Sequence, residues 1–247
     1  MLRGKLGIMN LYDRIAKFYD YSKYLKFTRI FEECEYRVFR SWIDSFKSPI
    51  LDVGCGSGRI SIPLAMMGFE VISLDFSFNM LRQVRNRIRR LGLFNIYIVR
   101  ADAEYLPFKF NSINTLVCLL TFNHFINPGR VASEFGRVLR VNGRCIISTF
   151  NSSFLRLYCR LFGIPINTVL FKVSEDEYIL VFEEGFSAYE LIKIFREVNC
   201  FRIVSIGWCC NLLYILFRYL FNLKLYFIDR LFSLKYSLIH LVYLVKI

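Results

Sequence analysis

A chain of 247 residues holds one large domain or two small ones, and 55% apolar residues exclude a disordered segment. Lysine and arginine outnumber aspartate and glutamate 33 to 20; the net charge of +13 excludes a neutral surface and favours anionic partners such as nucleic acid or lipid headgroups. Mean hydropathy is +0.39, yet no run of about 20 predominantly apolar residues could cross a bilayer: the longest candidate, Ile203 to Phe217, contains Asn211 and ends at Arg218.

The first twenty residues mix Arg3, Lys5, Asp13, Arg14 and Lys17 with apolar ones and lack a signal-peptide core, so a cytoplasmic chain is expected. Residues 10 to 46 carry apolar positions at helical spacing and predict one or two amphipathic helices, stopped at Ser48-Pro49. Ile50 to Val53 reads as a strand, Gly54 to Gly58 as a glycine turn, and Arg59 to Gly68 as a helix. Val71 to Leu74 is the next strand, Asn79 to Leu91 a helix closed by Gly92, and Ile96 to Val99 a third strand leading to Asp102. Leu116 to Leu120 is a fourth strand, Val131 to Leu139 a helix stopped at Asn142-Gly143, and Cys145 to Thr149 a fifth strand. Apolar strands alternating with helices imply a parallel sheet covered on both faces.

After Phe150 the rhythm changes. Ser152 to Gly163 reads as an extra helix, and Asn167 to Phe186 as a strand pair turning at Ser174-Glu175-Asp176. Ser187 to Val198 returns to helix, with Ser187 and Glu190 at capping-box spacing, and Phe201 to Ile206 and Leu241 to Ile247 read as strands. Eight cysteines and two histidines include no C-x-x-C pair; a metal site is not expected, and reduced, buried thiols are.

The chemistry concentrates at strand ends. Asp52 precedes Gly54, Gly56 and Gly58, and no Lys-Ser/Thr pair follows, so a cationic amine suits this turn better than a phosphate. Asp75, about twenty residues on, is placed to accept both hydroxyls of a ribose. Asp102, beside Ala103, is placed to accept from an exocyclic amine such as that of adenine. Three carboxylates at the ends of three successive strands converge on one crevice. A nicotinamide cofactor is the rival ligand, but the glycines lack G-x-G-x-x-G spacing and Asp102 would go unexplained.

Ile50-Leu51-Asp52-Val53-Gly54-Cys55-Gly56-Ser57-Gly58 resembles the first motif of class I S-adenosylmethionine-dependent methyltransferases. Asp75 matches the family's ribose-binding acid, Asp102-Ala103 with Leu106-Pro107-Phe108 its adenine-side motif, and Asn123-His124-Phe125 with Pro128 the segment after strand four. Tyr12-Asp13 and Tyr19-Asp20 resemble the amino-terminal helix of the branch that methylates quinones, sterols and other small molecules. Asn114, where an acid is usual, and Val141-Asn142, in place of Pro-Gly, depart from the pattern, and no Asn-Pro-Pro-Tyr type motif for base amines is present.

The resemblance implies an α/β, Rossmann-like seven-stranded sheet with helices on both faces, amino-terminal helices and an inserted lid after strand five. It divides a single domain, 1–247, into a helical cap (1–48), a cofactor-binding core (49–151), an acceptor-side insertion (152–186) and a last helix and strands with an apolar tail (187–247). It implies S-adenosyl-L-methionine as cofactor, with Tyr12, Tyr19, Cys55, Phe76, Met80 and Leu119 joining Asp52, Gly54, Gly56, Gly58, Asp75, Asp102 and Ala103 around it. His124, an imidazole titrating near neutrality beside the crevice, is the candidate general base. The expected partner is a small, apolar acceptor of the quinone, lipid or isoprenoid kind. An RNA methyltransferase and a non-catalytic cofactor-binding partner protein are the alternatives; Arg82, Arg85, Arg87, Arg89 and Arg90 suit phosphates or lipid headgroups, but no RNA-binding module accompanies them. Asn211, Arg218, Asn222 and Asp229 would form a narrow polar stripe on a helix, so 211–232 is read as core, a homodimer contact or a peripheral contact with the inner membrane face.

Overall fold

The computed structural model describes residues 4–17, 19, 26–172, 177–211 and 237–247. Strands β1 (Ile50–Val53), β2 (Val71–Asp75), β3 (Ile96–Arg100), β4 (Ile113–Leu119) and β5 (Leu139–Phe150) alternate with helices α3 (Ser61–Met66), α4 (Phe78–Leu91) and α5 (Pro128–Val138). Helices α1 (Gly4–Ile15) and α2 (Lys26–Arg40) precede them. Helix α6 (Ser152–Phe162), the hairpin β6 (Thr168–Lys172) and β7 (Tyr178–Phe182), helix α7 (Ala188–Glu197), β8 (Phe201–Asn211) and β9 (Ser237–Lys246) follow.

The seven-stranded sheet has the order β3-β2-β1-β4-β5-β9-β8, and β6-β7 stand apart as an antiparallel pair. The chain runs outward from β1 to β3 and returns to β4, so the crevice opens between the carboxyl ends of β1 and β4. The five strands expected to be parallel are so, and beyond them β9 runs antiparallel to both β5 and β8.

Because successive strand residues face opposite ways, β1 sends Ile50 into one core and Leu51 and Val53 into the other. On the first face Phe39 of α2, Leu64 of α3 and Val84 of α4 are buried; on the second Val131 and Phe135 of α5 and Leu191 and Phe195 of α7. A third cluster forms a roof: Leu11 and Ile15 of α1 pack on Met80 of α4 and Val181 of β7, with Tyr12, Tyr19 and Ile179 partly buried against them.

Several elements end where their local chemistry dictates. Ser187 and Glu190 complete the capping box of α7, and Gly92 closes α4 in the left-handed conformation. Helix α5, expected over Val131 to Leu139, ends at Val138, because Leu139 is already extended and paired with Ile113. Asn142 (φ +63) instead forms a turn inside β5, where the register with β4 shifts. The stripe expected to begin at Asn211 is also revised there: Asn211 is a strand residue paired with Ser237. Residues 212–236, which carry the rest of that stripe, and 173–176, the expected hairpin turn, lie outside the described residues. Among the described residues no helix is long and apolar enough to cross a membrane.

Candidate active site

The glycine turn is locked from both sides. The amides of Gly54 and Cys55 donate to the Leu74 carbonyl at 2.8 and 3.0 Å, tying the turn to β2. Gly54 has φ +70, and a Cβ there would lie 2.1 Å from Thr121 Cγ2; Thr121 Oγ1 donates to the Gly54 carbonyl at 3.2 Å. Gly56 differs: its φ is +54, and no atom lies within 4 Å of where a Cβ would stand. Its amide donates to Asp75 Oδ2 at 2.9 Å, while the Ser77 amide donates to Oδ1 at 2.8 Å. A carboxylate has about four lone-pair sites. Asp75 therefore keeps acceptor capacity beside open backbone, although shielding from water raises its pKa against the amides that lower it. Gly58 (φ +89) packs against Ile62 and Val84 instead, so its part is to seat the turn on α3 and α4.

Asp52 is buried at the end of β1 and accepts from Ser61 Oγ at 2.6 Å. Burial pushes its carboxyl up to about 6, outweighing the Ser61 bond and the Arg59 charge. Asp102, expected to meet an exocyclic amine, is engaged within the chain: Lys5 Nζ lies 2.6 Å from its Oδ2 and 2.7 Å from Glu104 Oε2, and the Glu104 amide donates to Oδ1 at 2.9 Å. Partial burial opposes the Lys5 charge, but the two carboxylates outweigh it and hold the ammonium above the usual lysine range.

Tyr12 and Tyr19 meet edge to face with ring centroids 6.0 Å apart, both in the roof with Met80. The Tyr12 hydroxyl is 2.9 Å from His124 Nε2. His124 does not titrate near neutrality as expected: burial lowers it to about 4, so it is neutral at physiological pH. Glu183 Oε1 lies 3.7 Å from the same nitrogen, and burial raises that carboxyl to about 8, which makes this a contact between neutral groups rather than an ion pair. Phe76 is half-buried, with its carbonyl accepting from Arg100 Nε at 3.2 Å. Cys55, Ala103 and Leu119 are buried in the packing behind the crevice, and burial holds the Cys55 thiol well above its ordinary value.

The methyltransferase domain family matches residues 51–147. That match falls on the segment whose motifs resemble class I S-adenosylmethionine-dependent methyltransferases. The ubiquinone/menaquinone biosynthesis C-methyltransferase of Wigglesworthia glossinidia brevipalpis is 31% identical over 120 residues, 47% of this chain and 48% of the relative. The chain thus spans about half the length of that curated relative. A crystal structure of a Pyrococcus horikoshii protein matches 90% of this chain and 92% of its own at TM-score 0.66 and 18% identity. A Methanosarcina mazei S-adenosylmethionine-dependent methyltransferase matches 80% and 91% at TM-score 0.59 and 22% identity. At these identities the two structures show the fold.

The residues present fit S-adenosylmethionine, the cofactor that the resemblance implies: Asp75 offers acceptors for ribose hydroxyls, and Gly56 leaves the backbone beside it open. Sequence reasoning did not single out Lys5, Glu35 or Glu183. Glu35 is fully buried on α2, bonded by Ser148 Oγ and paired with Arg59 Nη2 at 2.7 Å. It stands four residues before buried Phe39, and a charge on the apolar stripe is a readable signal. Glu183 shares strand alternation with buried Val181; Lys5, on the exposed start of a helix, left no signal.

Proposed function

We propose that the chain transfers a methyl group from S-adenosylmethionine to a small acceptor with an apolar body, of the quinone, lipid or isoprenoid kind. The supporting observation is the apolar roof of α1 and β7, whose Leu11, Ile15 and Val181 pack with Met80 beside the place where Tyr12 reaches His124. The quinone-biosynthesis assignment of the Wigglesworthia relative agrees with such an acceptor.

S-adenosylmethionine supplies a methyl group already activated by its sulfonium. What the chain must add is alignment of donor and acceptor and exclusion of water. Asp75 and the Gly56 backbone fix the donor's sugar; the roof excludes solvent. His124, kept neutral by burial, is a weak base and orients the acceptor through hydrogen bonding more than it removes protons.

The test is cell extract incubated with the protein and isotopically labelled donor, analysed by mass spectrometry. Label in the lipid or small-molecule fraction is expected. Label confined to RNA would overturn the acceptor class, and no label with no donor binding would overturn methyl transfer itself.

A further inference from the structure

We propose that Asn123, His124 and Glu183 form the acceptor's head-group subsite, and that it takes an uncharged hydroxyl on an apolar body in preference to an ammonium or a carboxylate. This deepens the methyl-transfer reading and rests on it for the presence of a second ligand beside the donor.

Four buried polar atoms on these three side chains have no hydrogen-bond partner among the described residues: Asn123 Oδ1 and Nδ2, His124 Nδ1 and Glu183 Oε2. Asn123 is 1% exposed and Glu183 2%, and the His124 side chain 8%. Asn123 is close enough to Glu183 to favour its ionised form somewhat, but makes no hydrogen bond of ordinary geometry to it. Leaving such an atom unsatisfied costs about 1–3 kcal/mol, so native proteins keep few of them. Four on three neighbouring side chains, drawn from two separate segments, mark groups waiting for a ligand. The segments are held together by the Glu184 amide donating to the Asn123 carbonyl at 3.0 Å. The cluster also adjoins the donor side, since Thr121 bonds the Gly54 carbonyl and His124 Nε2 meets Tyr12 of the roof.

Chemistry selects the head group. With Nε2 occupied by the Tyr12 hydroxyl, Nδ1 presents either an N–H or a lone pair, according to tautomer. The Asn123 amide both donates and accepts, and Glu183, its proton retained by burial, does the same. A hydroxyl also donates and accepts, so it satisfies either His124 tautomer together with a protonated Glu183; an ionised Glu183 leaves a buried charge that a hydroxyl does not neutralise. An ammonium only donates and a carboxylate only accepts; either would be desolvated with no counter-charge within the trio. The titratable groups facing Glu183 are His124 from the turn after β4 and Tyr12 from α1, with Tyr19 and Asp75 beyond Tyr12.

The experiment is calorimetry on the full chain saturated with S-adenosylhomocysteine, using three probes on one apolar body: 2-naphthalenemethanol, 2-naphthoate and 2-naphthylmethylamine. The alcohol is expected to bind at least about tenfold more tightly than either charged probe. Its affinity should fall between about pH 7 and about pH 9 as Glu183 ionises, and Glu183→Gln should flatten that fall. In Asn123→Leu and His124→Phe the alcohol should bind about tenfold more weakly, with S-adenosylhomocysteine affinity within about twofold of the parent as the check on folding. Equal binding of all three probes, preference for a charged one, or parallel pH curves for parent and Glu183→Gln would overturn the subsite. Failure to bind S-adenosylhomocysteine would instead overturn the methyl-transfer reading beneath it, whereas binding it without the alcohol would overturn the subsite alone.

Discussion

Two glycines two residues apart carry different burdens, and substitution separates them. Gly54→Ala would drive a methyl group into Thr121 at a left-handed backbone position, so a loss of about 2–4 kcal/mol in denaturant unfolding is expected. Gly56→Ala meets no protein atom; its expected cost in stability is only about 1–2 kcal/mol of backbone strain, while S-adenosylhomocysteine binding is lost because the methyl group enters the open space over the turn. Asp75→Ala should weaken that binding by about 1.5–3 kcal/mol in calorimetry. Burial of His124 and Glu183 also shapes stability against pH. Glu183 is raised to about 8 from an ordinary 4.5, so the unfolded chain sheds its proton first and stability falls as pH rises through that window. His124 is lowered to about 4 from 6.5, so stability falls again as pH drops through the lower window. Glu183→Gln should remove the fall between about pH 4.5 and about pH 8, a change on the order of 5 kcal/mol between thermal melts at the two ends of that window, and leave the His124 slope in place. Asp75 and the glycines were legible because their spacing from one strand to the next is short and local. Glu183 was not, because only the folded insertion brings it to a turn some sixty residues earlier in the chain.

Helix α1 reaches the core through one carboxylate. Asp13 Oδ1 accepts from Ser77 Oγ and from the Asn79 amide at 2.9 Å, and Asn79 Nδ2 donates to the Asp13 carbonyl at 3.1 Å, so the roof helix is pinned to the amino-terminal end of α4. There the charge also complements the helix dipole. Asp13→Ala is expected to cost about 1–2 kcal/mol. Hydrogen exchange should show α1 amides opening faster while β1 amides keep their protection; uniform acceleration would mean the roof is not a separate unit. Helix and strand existence was legible from periodicity, and the Ser187–Glu190 box from its spacing. The stop of α5 was misread because Asn142-Gly143 carries a turn signature at a place where the chain is already a strand, and that signature does not say which element it interrupts. The direction of β9 left no trace, since buried strands of either sense are apolar throughout.

Over the whole molecule, charge is distributed unevenly. Arg82, Arg85, Arg89 and Arg90 are exposed on α4, whereas Arg87 is partly buried and donates to the Ser57 carbonyl at 3.0 Å. Vesicle and RNA co-sedimentation distinguish what this basic face and the 211–232 segment do. RNA held by α4 should be released almost wholly by salt, because counterion release dominates. Anionic vesicles held by the apolar segment should be retained in part at high salt, and less by Phe217→Glu/Phe221→Glu; equal sedimentation of that variant would overturn the membrane contact. The last of the sheet's strands in sequence, β9, lies between β5 and β8, with Lys246 Nζ reaching the Leu139 carbonyl at 2.7 Å and Asn111 Oδ1 at 2.6 Å. On a ribosome, therefore, β5 presents an unpaired edge and β8 has no neighbour in the sheet until residues 237–246 have emerged. A nascent chain must carry its cofactor-binding half exposed along that edge, vulnerable to aggregation and proteolysis, until this late segment slides into the gap and closes it.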